Sequence, residues 1–415
     1  MLLLRLSLML VVFVDVMGQG LILPIINTLL INPSNGFLKA GTTGNTRELL
    51  YGLVVGVFYV FWFFGAAYIS KVSDYIGRKK GMVICLMGAL AGYILTVFSI
   101  EVSSYYLLLL SRAISGFTAG NQPIAQAALV DISRTDDERT RNMGKVVAAS
   151  ALGLVTGPLM AGLLSDSALL GNYATLELPF NCAAALVFLT LALVLIFYHD
   201  ARVEQRKIDF GLSEVFVTLW RIRQRPTIMK ISAVFFFFEL GLNSFFIYLD
   251  DYTIERFHFG TLQNSVLMTV FGLTMAFSSG VLVGPLSTRF RKIPTVSSAV
   301  AVMAVSLVLF TFNPNPFLSY FFVIPVVIAF AIAFPTTLAL FSISADPDEQ
   351  GWVMGITIAL FTLGCGIISL AGGALMDIDA HLPFITGIAS SLAALIFIKI
   401  LWRQADVKAL DTVKQ

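Results

Sequence analysis

Twelve long apolar stretches, separated by charged or Pro/Asn-rich breaks, run the length of the chain, near residues 4–30, 48–70, 81–100, 105–131, 143–165, 178–198, 228–250, 263–286, 294–312, 318–342, 352–376 and 383–402. Each approaches the roughly 20 apolar residues that a helix needs to cross a bilayer. The pattern predicts an all-α membrane protein of twelve transmembrane helices. The first stretch carries Arg5 but continues past signal-peptide length through Gly18, Gly20 and Pro24. With no small-residue cleavage site, it is read as a membrane helix and not a leader.

The longest break, residues 199–227, is polar and basic and divides the stretches into two groups of six. It predicts an N-terminal six-helix bundle over 1–198, a cytoplasmic linker over 199–227, a C-terminal bundle over 228–402 and a cytoplasmic tail over 403–415. The linker reads as a solvated basic segment facing anionic lipid, with an amphipathic stretch from Phe210 to Trp220 suited to the membrane surface. The two groups echo each other. Ser70 to Lys80 after the second stretch has a counterpart in Gly284 to Lys292 after the eighth, and a Gly-rich fifth stretch (Gly153, Gly157, Gly162) is matched by a Gly-rich eleventh. Two parallel six-helix repeats around a central site are a plan used by secondary transporters.

Composition excludes the soluble alternatives. The chain has 415 residues, 57% hydrophobic and 13% charged, against about 25% charged in soluble domains. The net charge of +2 decides nothing, whereas the placement of the charges does. With the N-terminus cytoplasmic, Lys39, Arg47 and Arg256 face the opposite side and Arg112 lies inside the membrane, which leaves 23 of the 27 Lys and Arg residues cytoplasmic. That asymmetry selects one orientation, with both termini cytoplasmic. Cys85, Cys182 and Cys365 fall inside apolar stretches, odd in number and widely spaced. They suit neither a disulfide framework nor a metal cluster.

Asp15, Arg112 and Glu239 are the charged residues expected deep within the spans. A charge at mid-membrane costs at least about 2.5 kcal/mol and faces a cavity or a partner. Asp15 shares a helical face with Gln19, and Glu239 with Asn243 and Phe246. A carboxylate that alternately meets water, a cation or a substrate can load and release a proton, so these three are candidates for proton coupling. Structural pairing of an acid with Arg112 is the alternative. His199, His258 and His381 fall in loops, which leaves carboxylates as the better carriers.

Several ordered motifs give these residues a family context. Phe13 to Gly20, ending at Leu23-Pro24, looks like an acidic first-helix motif. Asp74, Gly77, Arg78, Lys79 and Lys80 match motif A, with Ser70 and Tyr75 departing from it; Arg112 to Gly120 is similar to motif B, and Gly153 to Gly162 with Pro158 to motif C. On these the chain resembles the drug:proton antiporter branch of the major facilitator superfamily, with its two pseudo-symmetric bundles. The resemblance implies that the motif B arginine takes part in proton coupling, and that motif C accompanies antiport. It also implies a conformational latch built from Asp74, Gly77, Arg78 and Asp131, although the basic residues here would serve as a topology signal in any membrane protein. Gly153, Gly157, Pro158 and Gly162 read as helix packing, since small residues four apart let backbones approach and proline bends a helix. The tetracycline exporters of that branch carry further acids in helices 3 and 9, where this chain has Gly92 and, in the ninth stretch, no acid. That difference argues against tetracycline as the substrate.

The function expected is proton-driven export of small lipophilic compounds, with substrate lodged near Asp15, Gln19, Arg112, Gln122, Gln126, Glu239, Asn243 and Phe246. The energy source expected is the proton gradient, with no cofactor, no metal and no nucleic-acid partner, in a monomer surrounded by lipid in a bacterial inner membrane. No nucleotide loop, nucleophile constellation or ligand cluster suggests an enzyme. The alternatives are a proton-coupled nutrient symporter and a non-transporting membrane receptor.

Overall fold

The computed structural model describes residues 2–133, 136–200, 220–345 and 350–409, and among these the regular structure is helical throughout. The first part contains α1 (Leu2–Ile31), α2 (Gly44–Ile76), α3 (Arg78–Glu101), α4 (Tyr105–Phe117), α5 (Asn121–Asp131), α6 (Asp136–Ser165) and α7 (Leu178–Phe197). After the basic connection come α8 (Pro226–Phe257), α9 (Thr261–Phe277), α10 (Val283–Arg289), α11 (Lys292–Thr311), α12 (Pro316–Ser344), α13 (Gln350–Ile378) and α14 (Leu382–Leu401). A five-residue π segment, Ser278–Leu282, joins α9 to α10 without a break. Short polar residues start the helices where the chain re-enters the apolar region. Thr43 accepts from the Thr46 amide, Ser104 from that of Leu107, and Asn315, just before Pro316, from that of Phe317.

Among the described residues, eleven helices are long and apolar enough to cross a membrane. The stretch expected as one helix over 105–131 is instead two pieces, α4 and α5, interrupted at Thr118 to Gly120. Pro123 accounts for the interruption, because in a continuous helix its ring would collide with the carbonyl of Ala119. Gly116 and Gly120 on either side of Thr118 lower the local helix preference further. Large apolar side chains such as Phe188 (62% exposed) and Val305 (61%) stand on the outer surfaces of these helices. Such a surface needs lipid as its solvent, and the chain is a multi-pass integral membrane protein.

The chain divides into two compact units, residues 1–210 with 258–272, and 211–257 with 273–415. Of the linker expected over 199–227, residues 201–219 lie outside the described residues, as do 410–415 of the tail. In the first unit α1 lies along α6, α2 along α4, and α3 against both α4 and α7. Glycines set these approaches. A Cβ on Gly153 would lie 2.5 Å from the Phe13 carbonyl oxygen, and one on Gly157 2.3 Å from that of Met17, so the small residues of α6 bring its backbone onto α1. The ring of Pro158 packs against Gly20 of α1, and Gly162 meets Ser265 of α9. In the second unit α8 packs on α14 and α13, and α11 on α12 and α14.

Candidate functional site

Asp15 projects from the middle of α1 into a cavity of ≈ 500 Å³, including the space at its mouth, within the first unit. Gln19 and Ile22, one and two turns on, line the same wall. The break in the fourth span directs the start of α5 at the carboxylate, since the Gln122 amide donates to Asp15 Oδ2 at 3.3 Å and the Asn121 side chain also bonds to the carboxyl. The first turn of a helix offers unpaired N–H groups and the positive end of its dipole. A continuous fourth helix could not present them.

Arg112, on α4, is 3% exposed and lines the same cavity. Its guanidinium carbon lies 4.4 Å from the centroid of the Phe58 ring of α2, a cation–π contact. Tyr59 and Tyr93 are the other groups that act on its charge. Among the described residues Arg112 forms no ion pair with Asp15, and its Nε is buried without a hydrogen-bond partner. Tyr93, which feels the charge of both Asp15 and Arg112, lines the same cavity.

Gln122 and Gln126 do not line this cavity; the Gln122 side chain reaches Ser150 of α6 at 3.4 Å. Gly92, on α3, explains the missing acid of the third span. A Cβ there would lie 1.9 Å from Ser115 Oγ, 3.2 Å from Ser115 Cβ and 3.4 Å from the Ser111 carbonyl oxygen. Even a methyl group there requires Ser115 to rotate away, and a carboxymethyl group is larger still. Gly92→Asp is therefore expected to lower the melting temperature by several degrees, since overpacking costs about 1–3 kcal/mol. It should confer no tetracycline resistance in a susceptibility assay.

In the second unit Glu239 is fully buried on α8. Asn243, one turn on, donates to Glu239 Oε2 at 3.2 Å and to its carbonyl oxygen at 2.8 Å, while Oε1 is buried without a partner. Aromatic rings crowd this part of α8, with Phe235 against Phe334 and Phe341, and Phe238 stacked on Phe330. Phe246 is half-buried on the Glu239 face. The expectation that Asp15, Arg112 and Glu239 complete the set of deep charges needs correction. α8 continues to Phe257, beyond the end expected at 250, and buries Asp250 (1% exposed) and Asp251 (2%).

At the α2–α3 junction Gly77 has φ +101°, a conformation suited to glycine. Arg78 Nε lies 3.6 Å from Asp131 Oδ2 at the end of α5. Asp200, beyond α7, accepts from the Lys79 amide at 3.0 Å, at the start of α3. The Asp74 side chain lies outside the described residues. Because the Arg78–Asp131 pair is partly exposed (27% and 48%), Asp131→Asn should change thermal stability by no more than about 1 kcal/mol. A marked loss of transport in that variant, with its melting temperature retained, would mark the pair as conformational and not structural.

Buried charges held apart around a cavity, in a helical membrane protein, define a transporter-type site. Residues 8–369, and again 265–412, match the model of the Major Facilitator Superfamily, and the chain belongs to that superfamily. It is 24% identical to the tetracycline resistance protein, class C, of Escherichia coli over 356 residues, 85% of this chain and 84% of that one. It is likewise 24% identical over 394 residues to the quinolone resistance protein NorA of Staphylococcus aureus (strain MSSA476), covering 94% of each. The crystal structure of a D-xylose-proton symporter superposes with a TM-score of 0.75 at 14% identity, covering 97% of both chains, and shares the fold.

Proposed function

We propose that this transporter exports small lipophilic compounds in exchange for protons, by alternating access. The observation that carries the reading is the pair of buried, incompletely satisfied charges, Arg112 with its orphan Nε and Glu239 with its orphan Oε1. Groups left this way are costly in a bilayer unless a substrate or a proton completes them. Curated relatives spanning most of the chain are named for tetracycline and quinolone resistance, which supports outward transport of drug-like molecules. The rings around Glu239 suit an apolar or aromatic substrate, while the Asp15–Arg112 cavity offers both signs of charge to its polar groups.

The energy source is the proton gradient, and the protein acts without cofactor or nucleotide as a lipid-surrounded monomer. It sits in a bacterial inner membrane with both termini cytoplasmic. A susceptibility panel on a strain lacking its main efflux pumps tests the substrate class. Expression should raise tolerance to at least one lipophilic drug, and Asp15→Asn should remove the gain. Accumulation of a labelled nutrient along an inward proton gradient, with no change in tolerance, would favour symport instead.

A further inference from the structure

Asp15 and Arg112, the charged residues that line the first-unit cavity, are not equally served. Asp15 receives the Gln122 amide at 3.3 Å and a bond from the Asn121 side chain, at the positive end of α5. Arg112, 3% exposed, has the face of the Phe58 ring 4.4 Å from its guanidinium carbon and no ion pair with Asp15. Its Nε is buried without an acceptor, and its other N–H groups form no hydrogen bond among the described residues. A ring face offsets charge but accepts no conventional hydrogen bond from a guanidinium, whose donors lie in one plane. Another unsatisfied atom on this wall, Asn121 Oδ1, is a neutral acceptor that a single N–H or O–H completes, water included. The charge left wanting in this cavity is therefore the cation. Val14, Ile22, Ala89 and Val187 line much of the remainder with carbon.

We propose that the compounds bound in this cavity carry a carboxylate, held by the Arg112 guanidinium, on a compact apolar or aryl body seated against Val14, Ile22, Ala89 and Val187. The inference rests on the export proposed above and names the substrate class at that site. A carboxylate accepts two parallel N–H bonds from a guanidinium, the strongest pairing open to an arginine with free donors. Phe58 holds the side chain from its ring face and competes for none of those oxygens. A lipophilic cation would have to pair with Asp15 instead, displacing bonds that the start of α5 already makes, and would leave Arg112 as unsatisfied as before. A neutral ligand would likewise leave the guanidinium buried without an acceptor. The space, ≈ 500 Å³ with its mouth, takes a single-ring acid. An anion moved outward also travels with an inside-negative membrane potential, the direction that export requires.

The test titrates the full chain in lipid nanodiscs with benzoate, methyl benzoate and benzylamine at neutral pH, an anion, a neutral ester and a cation on the same ring, with empty nanodiscs subtracted. Calorimetry should give benzoate a Kd at least about tenfold lower than either counterpart. Arg112→Gln should abolish that preference, and Arg112→Lys, which keeps the charge without the planar fork, should recover only part of it. Thermal melting verifies folding, and if Arg112→Gln does not fold, Arg112→Lys is expected to weaken benzoate several-fold and leave the ester unchanged. Benzoate that binds no tighter than the ester, benzylamine that binds tighter than benzoate, no binding of any of the three, or a preference that survives in a folded Arg112→Gln variant each overturns the assignment. Export is read separately, by loading proteoliposomes with labelled benzoate. Arg112-dependent binding without transport supports the anion site and fails the export reading, whereas raised drug tolerance without a preference for the anion does the reverse.

Discussion

Asp15→Asn is expected to reduce proton-linked export at least about a hundredfold while leaving the protein folded. Asparagine keeps the size of the side chain and an oxygen that can accept from the Gln122 amide, now 3.3 Å from Asp15 Oδ2, so the packing of α1 on α5 has no reason to change. What disappears is the negative charge facing the start of α5 and the ability to hold a proton there. Arg112 keeps its seat on the Phe58 ring. Initial rates of substrate efflux from proteoliposomes, with the melting temperature measured in parallel, separate the two effects. A variant that transports at the wild-type rate would remove Asp15 from the mechanism, and one that fails to melt cooperatively would make the residue structural.

The second large effect is expected where α2 crosses α4. A Cβ on Gly65 would lie 1.9 Å from the Phe117 carbonyl oxygen, and one on Gly116 2.2 Å from that of Phe58. Both obstacles are backbone, so no rotamer change relieves them and the helices must move apart. Overpacking typically costs about 1–3 kcal/mol, and a double backbone clash belongs at or above the upper end. Gly116→Val should therefore yield little folded protein in fluorescence-detected gel filtration, and Gly65→Ala a melting temperature lowered by several degrees. A folded Gly116→Val would also lose transport, because the residue displaced is Phe58, the ring beneath Arg112. Gly355→Ala is the control. Nothing lies within 4 Å of the added methyl, and alanine is the better helix former by about 1 kcal/mol.

Much of this was legible from the chain. A charge in an apolar stretch is conspicuous, and Asp15, Arg112 and Glu239 stood out for that reason alone. The glycines of the fifth span were readable as close packing because their spacing repeats at one helical turn, and α6 does lie on α1 through Gly153 and Gly157. The interruption of the fourth span was missed although Pro123 and the flanking Gly116 and Gly120 announced it, because hydropathy is blind to the lost amide. Asp250 and Asp251 were missed for the opposite reason. By hydropathy a charged pair ends an apolar stretch, whereas α8 continues for seven residues past Asp250. Tyr93 and Phe58 had no sequence signal at all. Their roles depend on which faces of α3 and α2 meet the cavity, and among 35 Phe and 12 Tyr residues nothing local ranks them.

The central claim is that buried charges in a major facilitator fold exchange protons for an exported compound. The most direct measurement is simultaneous recording of substrate efflux and internal pH in proteoliposomes carrying a pH-sensitive dye, with a compound to which expression raises tolerance. Coupled exchange predicts that an imposed proton gradient drives the compound against its own gradient and that adding compound dissipates the proton gradient, both lost together in Asp15→Asn combined with Glu239→Gln. Substrate movement that is indifferent to pH, or that survives in the double variant, would contradict the account.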